Sequence, residues 1–527
     1  MVLHIFNDIL SIILVLVIIY VSHFYYKYFT RENPIPGPIP LPLVGNIFLV
    51  FRDFGDWPTQ LQKKYGDVYE TYIGPQRIVW ICREDLAQKM SIPSARNNFH
   101  GRTPSDNDGL KEIGFLDSGV VYNLNYKNWE YYRRFYARSL LKLSFIVQAT
   151  DSVQKIFREM EDYWELLGED TVLNFPHWTK RYFMDNIFFM TASKHRYSLA
   201  SYHNSISVDK KVHVPENHLK EGDALIDAVD NYMMCLIYFL AFPKLIREFP
   251  GIRIYTKKLK EGLNWLNRKV HSIIKERREE IEKTPEDQEL AHDLLTMFIT
   301  INTPRDITEK IADSLHDRPM TDEEICGLFI ENLSGGIDTL ANTTSFIIHY
   351  LSRYPKVKER LIEEVDRVVG KDLNRNITYE EVGKLEYCEA VINECTRIFS
   401  TFPMVARSNT NPDEIDGVKI PKNTQFFVNL QGIHRRESLW TNPEEFNPDR
   451  FLNKRNSEVK THLYTFGSGL RKCPGRNLAT LELKLTLALL YRKYDVELVN
   501  RDAPLKYFTT ILRTCSELKV RIKRRKF

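Results

Sequence analysis

TFGSGLRKCPGRNLA, residues 465–479, places three glycines close to a single cysteine, Cys473. Glycine permits positive φ angles and lets the backbone approach a flat ligand closely. A loop that turns successive amide N–H groups toward a sulfur stabilises its thiolate form, and the charges of Arg471 and Lys472 favour that anion further. A predicted apolar helix begins directly afterwards and adds the positive end of its dipole at the same sulfur. The stretch therefore indicates a ligating thiolate. The alternative interpretation is a glycine-rich turn with an incidental cysteine.

The spacing F-x-x-G-x-R-x-C-x-G is met in full by Phe466, Gly469, Arg471, Cys473 and Gly475. This segment resembles the haem-binding signature of the cytochrome P450 family. The resemblance implies that Cys473 is the axial ligand to the iron of haem b and that Arg471 pairs with a haem propionate. It also implies that Phe466 lies against the proximal face of the haem, near the sulfur. Thiolate ligation pushes electron density onto the iron and favours cleavage of the O–O bond.

The resemblance covers about residues 33–523, because its motifs occur in the family's order along the chain. It implies a mainly α protein with small β-sheets, the cytochrome P450 fold, preceded by one N-terminal transmembrane helix.

A second informative segment, SGGIDTLANTT, lies in the middle of a long predicted helix. Its two consecutive glycines, Gly335 and Gly336, each cost about 1 kcal/mol against alanine inside a helix, so the pair needs a reason. The family pattern [AG]-G-x-[DE]-T-[TS] is matched by these glycines together with Asp338 and Thr339. The resemblance implies a groove for dioxygen beside an acid and an alcohol that handle protons. The sequence departs from the pattern at Leu340, where the family has Thr or Ser. The alternative is a close helix–helix contact that needs small residues.

Glu394 and Arg397 lie three residues apart on a predicted helix and therefore share one face. Apolar neighbours on that helix suggest a partly buried pair, although an isolated E-x-x-R is usually a solvated ion pair. The resemblance joins this pair to Arg450, in FNPDRF, as a buried structural cluster beneath the haem.

Two weaker matches concern the haem propionates. Trp129 and Arg133 fit the family's W-x-x-x-R helix, and Arg407, four residues after Pro403, fits its P-x-x-x-R strand. Taken singly, such residues are more often surface or core side chains.

The N-terminal segment predicts a membrane anchor. Residues 9–26 contain no Lys, Arg, Asp or Glu and are long enough to cross a bilayer as a helix. A cleaved signal peptide needs a basic start and a small-residue cleavage site, whereas Asp8 precedes this run and aromatic residues end it. Lys27 and Arg31 follow, so the positive-inside rule places the rest of the chain in the cytosol. We expect an endoplasmic reticulum protein whose single-pass anchor contributes nothing to the folded core.

We divide the chain into an anchor with its flank (1–32), a stiff proline-rich strap (33–46) and a single haem-binding catalytic domain (47–527). The apolar stretch 235–246 is too short to span a bilayer. It is either a buried core segment or a patch that dips into the membrane.

Hydrophobic periodicity predicts a strand pair over 69–82 and late short strands around 405–430 and 508–523. The predicted helices are 58–66, 128–145, 153–165, 219–240, 255–283, 321–352, 355–369, 378–399 and 476–493.

Composition excludes other classes. The seven cysteines are scattered, odd in number and without a CxxC pair, which argues against a disulfide framework or a zinc site and for a reducing compartment. The formal net charge of +4 and the lack of a basic tract argue against a nucleic-acid partner.

The resemblance implies a monooxygenase that uses dioxygen, an apolar small-molecule substrate and electrons from NADPH. No flavin or dinucleotide-binding segment is visible, so we expect the electrons to come through a separate NADPH–cytochrome P450 reductase, with a small cytochrome b-type protein as a second donor. Three alternatives remain: a haem-thiolate isomerase or dehydratase, a non-catalytic haem sensor, and a membrane-tethered structural protein without haem.

The family's substrate pocket draws on the long helix and on the strand after Pro403. We expect an apolar lining that includes the residues Phe402, Met404, Val405, Ile330 and Leu333. The substrate itself is not readable from the sequence.

Overall fold

Helices build most of the molecule in a computed structural model that describes residues 2–52, 57–74, 76–92, 97–208, 211–308, 318–452 and 460–526. After an N-terminal helix, Val2–Phe29, the helices are Ile47–Arg52, Trp57–Tyr65, Glu84–Lys89, Asp108–Glu112, Tyr126–Leu141, Leu143–Leu167, Phe175–Ala192, Ser198–Ile206, Glu216–Ala241, Lys244–Arg247, Pro250–Lys283, Leu294–Thr300, Asp322–Arg353, Pro355–Val369, Tyr379–Gly383, Glu386–Ile398, Leu430–His434 and Arg476–Lys493. Short 3-10 turns lie at Pro448–Phe451 and Gly469–Arg471.

The strands form small sheets at the edges of this helical body. The largest has the order Val68–Ile73, Gln76–Ile81, Gln425–Asn429 and Met404–Ser408. Its middle pair is parallel and its outer pairs are antiparallel. A three-stranded sheet joins Leu173–Asn174, Lys519–Arg524 and Tyr494–Leu498. Two-stranded ribbons join Arg513–Glu517 to Lys506–Thr509 and Asp413–Ile415 to Val418–Ile420. The predicted class, mainly α with small sheets, is confirmed.

The helix Asp322–Arg353, called the long helix below, runs through the core. The Thr321 side chain accepts from the backbone N–H of Glu324, and the Glu324 side chain accepts in return, so a capping box fixes its start. Most of its length is buried, and it packs along the helix Phe175–Ala192.

That neighbouring helix, Phe175–Ala192, is absent from the sequence prediction. Residues 182–188 are buried without interruption, so no polar stripe marks a 3.6-residue period. The helix predicted over 378–399 is instead two helices, because a second capping box at Thr378 starts a short one that ends at Gly383. Helices of four to seven residues, such as Asp108–Glu112, were also missed, since one or two turns carry too little periodicity.

The expectation that the anchor contributes nothing to the core is wrong at its C-terminal end. Residues Asp8–Phe29 are long and apolar enough to cross a membrane, and none of their apolar window is buried. The Tyr28 ring, however, packs against Tyr72 with ring centroids 6.0 Å apart. Arg31 binds the buried Glu70 carboxylate at 2.8 Å.

The stretch 235–246 divides between the two interpretations. Cys235, Leu236, Tyr238 and Phe239 belong to the helix Glu216–Ala241 and are buried, so this part is core. The exposed apolar side chains come slightly later, at residues Leu245, Phe249 and Ile254, with exposed fractions of 79%, 62% and 76%.

Candidate functional site

The cysteine loop, residues 465–475, is a closed turn. The backbone N–H of Cys473 donates to the carbonyl of Phe466 at 2.8 Å. Gly469 has φ +69°, and a Cβ atom there would lie 2.1 Å from the carbonyl oxygen of Ser91. A residue with a side chain would therefore be strained and would clash, which explains the glycine of the motif.

The Cys473 thiol lies in the wall of an internal cavity. Burial raises its pKa, whereas the backbone N–H of Gly475 and the charges of Arg102, Arg133 and Arg476 lower it. The protein thus offers partial support for a thiolate. A bound metal ion would complete it, since a coordinating thiol loses its proton.

The cavity has a volume of about 850 Å³ and lies between the cysteine loop and the long helix. Cys473, Gly335, Gly336 and Thr339 all line it. A Cβ atom at Gly335 would meet nothing within 4 Å, so this glycine leaves open space. A Cβ atom at Gly336 would lie 2.9 Å from Ile187, so this glycine serves helix packing. Gly336 therefore agrees with the close helix–helix contact, and the dioxygen groove implied for the pair stays a prediction.

Asp338 and Thr339 face different surroundings. The Thr339 hydroxyl lies at the cavity and donates to the carbonyl of Gly335 at 2.7 Å. The Asp338 carboxylate is 3.1 Å from the Lys180 ammonium, which also bonds to Asp230. Burial raises the pKa of Asp338, although the charge of Lys180 works against this shift.

Three arginines, Arg102, Arg133 and Arg471, line the cavity, and a fourth, Arg407, is buried close to Arg102 and Arg471. Among the described residues, none of them has a carboxylate at ion-pair distance. Burial and the charge of Arg102 lower the pKa of Arg407 to about 9 and that of Arg471 to about 8. The Nε atom of Arg102 is buried and has no hydrogen-bond partner among the described residues. This concentration of positive charge fits a ligand that carries carboxylates.

The motif arginine, Arg471, is turned inward. Its guanidinium donates to the carbonyls of His100, Val120 and Asn123 at 2.9, 3.2 and 2.8 Å. It stacks on the ring of Trp129 at 4.2 Å, and Trp129 also lines the cavity. The cysteine-loop motif and the W-x-x-x-R motif are therefore in direct contact.

Glu394, Arg397 and Arg450 form the cluster that the sequence suggested. Arg397 donates to both oxygens of Glu394, at 2.8 and 2.9 Å, and both residues are fully buried. The Arg450 Nε lies 3.0 Å from the same carboxylate. Thr396, beside Arg397, accepts a hydrogen bond from Thr465 of the cysteine loop at 3.1 Å. The cluster therefore supports that loop.

The expected apolar lining is partly wrong. Phe402, Met404 and Val405 line the cavity. Ile330 and Leu333 are instead buried in the core. The periodicity identified the apolar face of the long helix, but that face packs against neighbouring helices. The cavity face carries small and polar residues.

Other cavity residues were missed by the sequence reasoning. Arg102 and Glu331 lie in no recognised motif, and Lys180 meets Asp338 only through the fold. Glu482 also lines the cavity; its oxygens have no partner among the described residues, and burial raises its pKa to about 8. Of these residues, only Glu331 could have been suspected from the sequence, because it lies two turns before Thr339 on the predicted long helix.

Comparison with known proteins matches residues 35–522 to the family described as Cytochrome P450. The chain belongs to the cytochrome P450 family. It is 26% identical over 485 residues to Cytochrome P450 3A5 of Homo sapiens, covering 89% of this chain and 88% of that protein. It is 27% identical over 471 residues to Cytochrome P450 2L1 of Panulirus argus, covering 87% and 88%. The cytochrome P450DA heme domain has a TM-score of 0.76 at 20% identity, covering 94% of this chain and 98% of that one, and shows the same fold.

This cytochrome P450 is a monooxygenase with haem b as its cofactor. The site fits that group, because one cavity is lined by a thiol and by three arginines that have no carboxylate partner among the described residues. When bound, the haem supplies the redox chemistry that activates dioxygen.

We expect Cys473→Ala to yield protein without the red-shifted carbonyl band of a thiolate haem, because no other described thiol lines the cavity. The measurement is the absorbance of the reduced protein under carbon monoxide. Cys326→Ala, which removes a buried thiol elsewhere, is the control and should keep the band. A red-shifted band in Cys473→Ala would show that the ligand lies elsewhere.

Proposed function

We propose that this cytochrome P450 inserts one oxygen atom from dioxygen into an apolar small molecule, using electrons from NADPH. The observation that carries the proposal is one cavity that holds both the Cys473 thiol and the Thr339 hydroxyl, with apolar side chains such as Phe402 and Met404 beside them. An apolar substrate gains free energy by leaving water for such a lining.

We propose Cys473 as the axial ligand, with Phe466, Gly469 and Gly475 shaping the loop around it. Arg133, Arg407 and Arg471, with Trp129, would hold the propionates. Glu394, Arg397 and Arg450 are structural.

Thr339 and Asp338 are the candidate catalytic pair. The Thr339 hydroxyl can orient a water in the cavity, and Asp338 can exchange protons with that water through solvent. Two protons are needed to release one oxygen atom of dioxygen as water. A positioned acid typically contributes about 10²–10⁴ in rate.

The retained alcohol favours oxygenation over the alternatives. Relatives that isomerise or dehydrate oxygenated substrates tend to lose this residue, and a haem sensor would have no use for an acid and an alcohol on neighbouring positions. A structural protein would not need three arginines in a cavity wall without a carboxylate partner among the described residues.

Electrons would come from a separate NADPH–cytochrome P450 reductase, with a small cytochrome b-type protein as a second donor. Lys472 and Arg476 are exposed on either side of Cys473, whereas Arg471 is buried. These two cations suit an acidic partner surface.

We propose that the chain is anchored in the endoplasmic reticulum membrane by its first helix, with the body in the cytosol. A second contact would come from the apolar patch, defined as Leu245, Phe249 and Ile254. Both Leu43 of the strap and Pro243 lie within 4 Å of the position that a Gly74 Cβ would take. The proline-rich strap and the segment that carries the apolar patch therefore lie close together. This proximity is required if both face the membrane on the same side of the protein.

Thr339→Ala should uncouple the enzyme rather than stop electron flow. Without the hydroxyl, proton delivery slows, so more reduced oxygen leaves as hydrogen peroxide while haem binding and reduction continue. The measurement is a balance of NADPH, peroxide and product, in which product per NADPH should fall by about 10² or more, as expected from the factor of about 10²–10⁴ that an acid group contributes to rate.

The matched control is Ser345→Ala. Ser345 lies on the same helix and donates to the carbonyl four residues earlier, as Thr339 does, but it is buried away from the cavity. Its variant should keep the balance of the parent. An unchanged balance in Thr339→Ala would remove Thr339 from oxygen activation.

Deleting residues 1–26 should release the protein from membranes only in part and leave haem binding intact, because Tyr28 and Arg31 are retained. Adding Leu245→Ser, Phe249→Ser and Ile254→Ser should abolish the residual binding. The measurement is co-sedimentation with phospholipid vesicles.

The control replaces three exposed apolar residues carried by other elements, Ile92, Leu143 and Val208, by serine in the same truncated protein. Equal loss of binding in both triple variants, or a truncated protein that never sediments with vesicles, would contradict the patch.

Asn332, Asn342 and Asn376 match N-x-[ST], and we expect none to be glycosylated. Asn332 and Asn342 are buried and are uninformative, whereas Asn376 is exposed and reports on topology. The measurement is gel mobility before and after deglycosylation of protein made in a eukaryotic host. A shift that Asn376→Gln removes would reverse the proposed orientation.

A further inference from the structure

Glu331 on the long helix has a role that no motif predicts. Its side chain reaches a loop, residues 119–123, that crosses one end of the cavity. One carboxylate oxygen accepts from the backbone N–H of Val120 at 2.6 Å, and the other accepts from that of Val121 at 3.0 Å. Burial raises the pKa of Glu331 to about 7, whereas these two backbone N–H groups lower it, so the carboxylate is ionised above that pH. Hydrogen bonds to an ionised acceptor are about twice as strong as neutral ones, so the ionised carboxylate fixes the loop.

The loop is shaped to receive the carboxylate. Gly119 has φ +71°, and a Cβ atom there would lie 2.3 Å from an Oε atom of Glu331. Only glycine at this position leaves room for the carboxylate to reach the two amides. Gly114 has a similar φ of +75° but nothing within 4 Å of its Cβ position, so it differs from Gly119 in contact alone.

The other side of the same loop holds the motif arginine. The carbonyl of Val120 accepts from Arg471 at 3.2 Å and from the indole N–H of Trp129 at 3.1 Å. The carbonyl of Asn123 accepts from Arg471 at 2.8 Å. Val120 therefore binds Glu331 through its N–H and Arg471 through its C=O.

We propose that Glu331 is a positioning residue, which fixes the 119–123 loop and through it the orientation of Arg471 beside the cysteine loop. Glu331 and Cys473 are far apart in the sequence. They are connected only in the folded protein, through the N–H and C=O groups of Val120. The inference concerns the haem seat and does not depend on the substrate or on the electron donor.

The first measurement is amide hydrogen exchange of the haem-loaded full chain, followed in the segment that contains Val120 and Val121. Glu331→Gln retains one weaker acceptor, so exchange there should rise about tenfold, the factor expected for losing one hydrogen bond to a charged group. Glu323→Gln makes the same change at an exposed position of the same helix and should leave exchange as in the parent.

The second variant, Gly119→Ala, separates the position of the Glu331 carboxylate from its charge. Gly119→Ala keeps the carboxylate but displaces it, and should raise exchange in the same segment. Gly114→Ala imposes the same backbone strain without the clash and should not do so. If Gly119→Ala behaves like Gly114→Ala, the fit between the loop and Glu331 is refuted.

The third measurement follows Arg471 itself. In both Glu331→Gln and Gly119→Ala, the red-shifted carbonyl band should convert to the unshifted form at least a few-fold faster than in the two controls, because the arginine that holds the haem edge has lost its support. Faster exchange with an unchanged conversion rate would overturn the connection to Arg471. Unchanged exchange would overturn the proposal as a whole. Neither readout needs turnover, so a failure of the proposed monooxygenation leaves this test intact.

Discussion

Uncompensated positive charge is the constraint on which the arrangement of this site depends. Three arginines line one cavity and Arg407 is buried beside them, and burying a charge without a partner is costly. The lowered pKa values of Arg407 and Arg471 express that cost. The carboxylates of a bound haem would compensate this charge, so haem binding would add stability to the folded state. Cys473 would supply the sulfur ligand from the same cavity.

The support for the cysteine comes from the Glu394 cluster. Arg397 donates to the carbonyl of His434 at 2.8 Å, and the ring of His434 accepts from the backbone N–H of Tyr464, just before the cysteine loop. Burial lowers the pKa of His434 to about 3, so the ring stays neutral and can accept. Breaking one partner out of such a buried ion cluster costs about 3–5 kcal/mol. Loss of a group from this buried cluster would therefore destabilise the surrounding fold as well as the cysteine loop.

The parts of the fold that depend on local sequence rules could be predicted from the sequence. The helix Arg476–Lys493 was predicted with its observed bounds, and the capping box at Thr321 fixed the start of the long helix. The buried helix Phe175–Ala192 escaped, since a helix covered on all sides has no polar stripe.

At the site, motif residues were found and their partners were not. Cys473 and Thr339 carry a spacing that can be recognised, whereas Lys180 and Arg102 become neighbours of the site only through long-range packing. Ile330 and Leu333 were misplaced for a related reason. An apolar periodicity tells which face of a helix is buried, but not whether that face meets a cavity or another helix.

The long helix shows why neighbouring positions take different tasks. Successive residues of an α-helix differ by about 100° around its axis, so adjacent side chains do not face each other. Thr339 therefore lines the cavity, whereas Asp338 forms an ion pair with Lys180 on the neighbouring helix. Glu331, eight residues before Thr339, lies about two turns away and about 80° around the axis from it. It also lines the cavity and binds the loop that holds Arg471. Direct proton transfer from Asp338 to a group in the cavity is thus not available in this arrangement. In the proposed reaction, Asp338 would therefore act through a water, or after leaving Lys180, and the Thr339 hydroxyl would hold that water in place.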